Sequence, residues 1–486
     1  MVLDPHVYRE LLRTALSPAV DADTIDPDAR TLYTPTSHRR ALDPDVTVVQ
    51  GGRGVGKTVW FKALQNRELR SLTADEYQLG RLNRIDALPG YGTALLPEQY
   101  PSQRVLSALL AQFPAAEDIW TAVVLNALEA PGIVEQATWA DRVRWLLANP
   151  EQSEIALAAA DRDAASRDLT RLFLFDALDR LHSRRDAADK LVSGILRVAL
   201  DLRTRTRNLR AKVFIRHDMF DGIKLTFPDA SKLTANAADL TWSPTNLYGL
   251  LFHQLGNASH PASESFIRET GRWITQSDHR RTPPRDLTGD QARQREVFTQ
   301  IAGPYMGREH RKGITYTWLP NHLTDGINQV SPRSFLSALD TATDITAQRF
   351  STHSVPLHWE GIRQGVQTAS KIRVVEIRED IPWVGTCVEP LRGMQVPIEQ
   401  DEIVARWRDQ DLKADLEAMS QVTGGDADLP APAPTGPLHT DYQGLITELI
   451  ELGVMSRRVN GKIDLPDVYR IAFDIGRKGG VPRVRS

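Results

Sequence analysis

Three short apolar runs stand out from a chain that is otherwise patterned at helical spacing. Val46 to Gln50, Leu172 to Phe175 and Ala211 to Ile215 each concentrate β-branched, aromatic or leucine side chains, and each ends on a glycine turn or a charged residue. Runs of this length with apolar residues on both faces predict strands of a buried parallel sheet. Elsewhere, apolar residues recur every three or four positions. This predicts helices at Val7 to Leu16, Val59 to Leu64, Val105 to Gln112, Ile119 to Leu128 and Asp189 to Leu202. The whole stretch Lys62 to Glu154 reads as helical, broken by a long Pro/Gly/Tyr loop from Leu88 to Pro101, with Trp120, Trp139 and Trp145 as core or interface residues.

Past the third strand, Ser243 and Pro244 supply an N-cap and a first-turn proline for a helix reaching Leu255. Residues 256–296 are polar and rich in Arg and Pro, around Arg280 to Arg285, and predict an exposed insertion. Val330 to Leu339 begins another helix, with Pro332 and Arg333 in its first turn. Residues 355–420 read as further helices, with acids at the starts where the helix dipole favours them (Glu379, Asp380; Glu399 to Glu402). Thr423 to Pro437 is a Pro/Gly linker. A compact module follows: helix Tyr442 to Leu452, strand Val454 to Val459, an Asn460-Gly461 hairpin turn, a return strand Lys462 to Leu465, and a helix from Pro466 through Phe473.

The expected organisation is therefore an α/β parallel-sheet core at 46–240 behind a lead segment, 1–45. A helical lid (241–350), a helical domain (351–420), a linker (421–437) and a winged-helix-like module with a basic tail (438–486) complete it. At 486 residues, 41% hydrophobic and 25% charged, the chain has ample core for several domains. The formal charge of −3 provides no global field toward nucleic acid, so any such contact is a local patch. One cysteine, Cys387, excludes an internal disulfide framework and fits a reducing cytoplasm. No apolar run is long enough to span a membrane, and Met1 to Glu10 has no apolar signal core.

The chemistry concentrates where the first strand ends. Gly51, Gly56, Lys57 and Thr58 match the phosphate-binding pattern G-x-x-x-x-G-K-[ST] between a strand and a helix. Glycines allow bare N–H groups to close around a phosphate, and the helix start presents its positive end to it. The expected nucleotide cradle is Gly51, Gly52, Arg53, Gly54, Val55, Gly56, Lys57, Thr58 and Val59. Lys57 is placed to bridge the β- and γ-phosphates of ATP and Thr58 to hold Mg²⁺. Asp176, directly after the second apolar run, is the matching Walker B acid on Mg²⁺, and Asp179 is a candidate to orient the attacking water. Ala177 stands where many related ATPases carry a catalytic Glu, which predicts slow hydrolysis or a different catalytic acid.

Arg216 ends the third strand, where a γ-phosphate sensor belongs. Its fixed charge suits phosphate, but pairing with Asp218 or Asp221 is the equal alternative. Arg333 is the corresponding candidate on the lid, with a plain surface Arg as the competing account. Tyr33, His38 and Arg39 precede the first strand and lie either against the base and ribose or in simple packing. The basic run Arg203 to Arg210 is either a solvated helix end or a contact to phosphate or a neighbouring subunit. Arg457, Arg458 and Lys462 lie on the hairpin, and Arg477 to Arg485 form a basic tail.

In this order of parts the chain resembles the STAND ATPases and their origin-recognition AAA+ relatives over roughly residues 30–350 and 438–475. Phe175 to Asp179 is especially similar to the STAND form of Walker B. It departs from them in lacking a Gly-x-Pro motif in the lid and any repeat array. The resemblance implies a bacterial regulatory ATPase, often of phage defence, that changes state with Mg·ATP, oligomerises, or recruits a separately encoded effector. Its alternative is a DNA-binding loader, with the wing and Arg-rich segments on phosphates. A metabolic P-loop kinase ranks third, since such enzymes need neither a long lid nor a C-terminal module.

Overall fold

The computed structural model describes residues 4–16, 26–223, 227–276, 280–421, 437 and 441–479. Most of the expected linker and the tail beyond Gly479 lie outside the described residues. Two compact units emerge: one is Thr36–Thr241, and the other joins the residues up to Pro35 with those from Trp242 onward.

The first unit is built on a five-stranded sheet. Its strands are β1 (Val48–Gln50), β2 (Ile85–Tyr91), β3 (Thr170–Phe175), β4 (Leu209–Ile215) and β5 (Ala238–Asp239), in the order β2-β3-β4-β1-β5. Every pairing is parallel. With helices connecting the strands, this is the α/β P-loop core expected from the sequence. The insertion of β4 between β1 and β3 matters for function. It places the C-terminal ends of β1, β4 and β3 side by side, where open α/β sheets hold ligands.

β2 corrects the sequence reading, which assigned Lys62 to Glu154 to helices and Leu88 to Pro101 to a loop. Pro89 and Gly90 hide the strand because neither favours one. Both are accommodated here because β2 is an edge strand, with its register shifting between Pro89 and Tyr91. Gly90 has a packing reason as well: a Cβ there would sit 2.5 Å from the Phe175 ring. Behind the sheet, Trp120 is fully buried, stands edge-on to Phe175 at 5.8 Å, and donates its indole N–H to Leu191 O at 2.9 Å. It thereby ties helix Ala116–Ala127 to helix Arg185–Arg205. The basic run at the end of the latter helix is engaged within the unit: Arg203 donates to Asp45 O, Arg205 pairs with Glu154, and Arg210 pairs with Asp45.

The second unit has two hydrophobic cores. One gathers helices Pro5–Leu16, Pro244–Asn257, Pro332–Arg349 and the N-terminal half of Trp359–Asp380 around Tyr248. The Tyr248 hydroxyl donates to Tyr316 O at 2.7 Å, and the Tyr316 hydroxyl donates to Gln294 Oε1 at 2.7 Å. Ser243 caps its helix as expected, accepting from Asn246 N. The predicted exposed insertion is corrected: Ala262, Phe266 and Leu287 belong to this core, and Arg280 is 2% exposed, donating to Ala29 O and Leu32 O.

The other core runs from Val374 to Ile475 around Trp407, whose indole donates to Cys387 O. The C-terminal hairpin is shorter than predicted, pairing Ser456–Arg457 with Ile463–Asp464, and the last helix is only Asp467–Arg470. Arg477, read as the start of a loose tail, is 7% exposed in its side chain and bonded to Asp464 and Asp467. Gly476–Arg477 pairs in parallel with Gln395–Val396, which explains its order.

Candidate nucleotide site

The site begins with the turn after β1. Gly51 N–H donates to Ile215 O at 3.2 Å, so the first residue of the loop is pinned to the end of β4. Gly51 lacks room for a side chain, since a Cβ would lie 2.6 Å from Val55 Cγ2. Gly54 and Gly56 have φ of 73° and 104°, a left-handed backbone that glycine adopts without strain, and Gly56 leads directly into helix Lys57–Gln65. Gly52, Arg53, Val55 and Val59 complete the stretch. Lys57 folds back over the loop, its Nζ donating to Gly51 O at 2.9 Å and Gly52 O at 2.7 Å.

β3 delivers Asp176 to the same edge, where it is 2% exposed and accepts a hydrogen bond from the Thr58 hydroxyl. Burial raises the Asp176 carboxyl above its ordinary range, opposed by the Thr58 hydrogen bond and by the charge of Lys57. Two hard oxygen donors in contact, on a P-loop and on the neighbouring strand end, suit Mg²⁺ with its water shell. The donor set of Thr58 and Asp176 therefore fits the implied ion.

Directly after Asp176, Ala177 adopts a left-handed conformation with φ 56° and ψ 41°. A side-chain-bearing residue rarely does so. This reversal starts the one-turn 3-10 segment Leu178–Arg180 and brings Asp179 back toward Lys57, whose charge it influences together with that of Asp176.

Arg216 follows β4 and engages Asp218 through both arms of its guanidinium, Nε to Oδ1 at 3.0 Å and Nη2 to Oδ2 at 2.9 Å. Burial favours the neutral carboxylic acid at Asp218, but Arg216 and Lys57 outweigh it and hold the group below its usual range. Lys57 itself is lowered to about 8, first by burial and further by Arg216, against the pull of Asp176, Asp179 and Asp218. The structure thus brings together Lys57, Thr58, Asp176, Asp179 and Arg216. It adds Asp218, which the sequence reading considered only as a competing partner for Arg216. The Arg-x-Asp spacing at a strand end is the signal that marks it.

The remaining candidates have partners of their own. Arg333 belongs to the other unit, in the first turn of helix Pro332–Arg349, and pairs with Glu376 at 3.2 Å. Tyr33 packs on Trp242 and His253 in that unit. His38 is fully buried, accepts from the Trp60 indole at 2.9 Å, and is pushed down to about 3 by burial. Arg39 donates to Tyr77 O. On the hairpin, Arg458 is held by Asp464, Lys462 by Glu399, and Arg457 by Gln400. Among the described residues no cluster of His, Cys, Asp and Glu forms a separate metal site, and no helix is long and apolar enough to cross a membrane.

No protein-family model matches the chain, and no curated protein matches its sequence. Two solved structures similar to it are the ORC2 protein of Aeropyrum pernix, determined as ADPNP-ADP complexes, and Cdc6p of Pyrobaculum aerophilum. The first is 13% identical with a TM-score of 0.41, covering 93% of this chain and 95% of that one. The second is 12% identical with a TM-score of 0.28, covering 97% and 92%. Likenesses at this level carry no weight for function beside the geometry of the site.

Proposed function

We propose that this chain binds and slowly hydrolyses ATP, and that bound nucleotide sets its assembly state or its recruitment of a separately encoded partner. The observation that carries the proposal is the convergence, at one sheet edge, of a left-handed glycine loop, a lysine folded over it, and a Thr58–Asp176 oxygen pair. In this reading Lys57 leaves the carbonyls of Gly51 and Gly52 for the β- and γ-phosphates. Thr58 and Asp176 hold Mg²⁺, which when bound neutralises charge developing on the phosphate oxygens. Asp179, returned to the site by the turn at Ala177, orients the attacking water and takes up its proton. Arg216 contacts the γ-phosphate. Arg333 is proposed to report on nucleotide from the lid. A regulatory role of the STAND kind in bacterial defence is the biological setting proposed, on resemblance alone.

A DNA-binding loader of the origin-recognition type is the second reading and stands level with the first. What favours it is the exposed position of Arg457 on the hairpin. The acidic partners of Arg458 and Lys462 weigh against strong phosphate binding there.

The deciding experiment is size-exclusion with light scattering on the full chain, apo, with Mg·ATP, and with Mg·ATP plus duplex DNA. A larger species with ATP alone supports the switch; one that requires DNA supports the loader. Absence of any ATP binding by calorimetry, or wild-type turnover in Lys57→Ala, defeats both.

A further inference from the structure

Asp218, paired with Arg216, has no part in the reaction proposed above. Arg216 begins immediately after Ile215, whose carbonyl holds Gly51, so its backbone is fixed to the P-loop. Its side chain is 16% exposed, and that of Asp218 28%. The two meet with fork geometry, both distances at or below 3.0 Å. Such pairing fixes the plane of a guanidinium as well as its position. An arginine on a strand end would otherwise sample many rotamers, and it stands in the field of Lys57, which repels it. Asp218 removes both obstacles, since it immobilises the fork and offsets the like charge.

We propose that Asp218 is a positioning residue: it holds Arg216 so that the guanidinium edge turned away from the carboxylate meets the γ-phosphate of ATP as the phosphate is transferred to water. The inference rests on the ATPase reading given above. In the step concerned, the water oxygen bonds to the γ-phosphorus. The bridging P–O bond breaks with its electron pair left on ADP, and the water proton passes to Asp179 and then to the released phosphate. Arg216 forms no covalent bond. A preset donor of this kind acts mainly on the transition state, where charge on the γ-phosphoryl oxygens is redistributed, so its loss is read in kcat more than in binding.

The test uses the full-length protein, with steady-state Mg·ATP turnover and equilibrium binding of a fluorescent ATP analogue, on Asp218→Asn, Asp218→Glu, Arg216→Ala and the double variant R216A/D218N. Asp218→Asn is expected to lower kcat by about ten- to a hundredfold, the usual effect of removing a residue that orients a site group. Analogue affinity should stay within about threefold. Asp218→Glu should recover part of the rate, and the double variant should be no slower than Arg216→Ala alone. Unchanged kcat in Asp218→Asn, independent multiplicative losses in the double variant, or loss of binding equal to the loss of rate would each overturn the inference. If Asp218→Asn does not fold, Asp218→Glu and the comparison of the double with the single arginine variant decide it. A wild-type protein that neither binds the analogue nor turns over ATP would instead bring down the ATPase reading, and this inference with it.

Discussion

Replacing Lys57 with methionine should leave the fold about as stable while abolishing nucleotide binding. The charged amine is the least comfortable group in the P-loop: burial lowers it from 10.5 to about 8 even with three carboxylates nearby. At about 1.4 kcal/mol per tenfold in proton affinity, that is a destabilisation of ~3 kcal/mol at neutral pH, where the native and unfolded chains both carry the proton. Lys57 is partly exposed, so solvent screening reduces this to about 2 kcal/mol. Methionine also forfeits the charge-assisted hydrogen bonds to Gly51 O and Gly52 O, worth about 1.5 kcal/mol each. The two effects nearly cancel, so without nucleotide the stability should change by no more than about 1 kcal/mol, or roughly 2–4 °C in the melting of the unit Thr36–Thr241.

The pH dependence follows from the same shift. The native amine loses its proton near pH 8 while the unfolded one keeps it toward 10.5, so the unfolded chain binds more protons in that window. Wild-type stability should therefore receive a positive contribution as pH rises from about 8 to 10.5, and Lys57→Met should lack it. Added Mg·ATP separates the two proteins: at a hundred times Kd it stabilises the wild type by about 2.7 kcal/mol and leaves the variant unchanged. Denaturant melts of both proteins at pH 7 and 9.5, with and without nucleotide, read all of these. A variant whose stability without ligand at pH 7 departs from wild type by more than about 2 kcal/mol, or one that keeps the nucleotide-induced shift, refutes the reasoning.

Three further substitutions probe other parts of the structure. Gly51→Ala places a methyl against Val55 Cγ2 and must open the loop, so nucleotide affinity should fall at least tenfold while the melting midpoint moves little; calorimetric titration checks this, and an unchanged Kd argues against the loop geometry. Ala177→Gly relieves a left-handed backbone at an alanine and should stabilise by up to about 1 kcal/mol in urea, without lowering ATP turnover, whereas a loss of stability would show that φ 56° is not maintained in solution. Arg477→Ala removes the cation shared by Asp464 and Asp467, both about 2% exposed, while Arg458 and Arg470 still pair with them, and should destabilise the C-terminal region by about 1.5–3 kcal/mol, seen as new proteolytic cleavage after residue 440; wild-type protection would show the network to be dispensable.

What the sequence determined alone was whatever depends on a few contiguous residues. The glycine loop with Lys57 and Thr58, the apolar run ending in Asp176, the Ser243 cap and the Asn460-Gly461 turn all carry their physical cause within a handful of positions, and each is legible for that reason. β2 was not legible, because Pro89 and Gly90 contradict local strand preference and only the edge position and the Phe175 ring make them acceptable. Arg280 and Arg477 look like surface charge in one dimension. They are buried because carbonyls at Ala29 and Leu32, and carboxylates at Asp464 and Asp467, reach them across the fold. The grouping of Arg216 and Asp218 with Lys57 likewise required β4 to lie between β1 and β3, since electrostatic partnership is set by distance in space and no pattern along the chain encodes that distance.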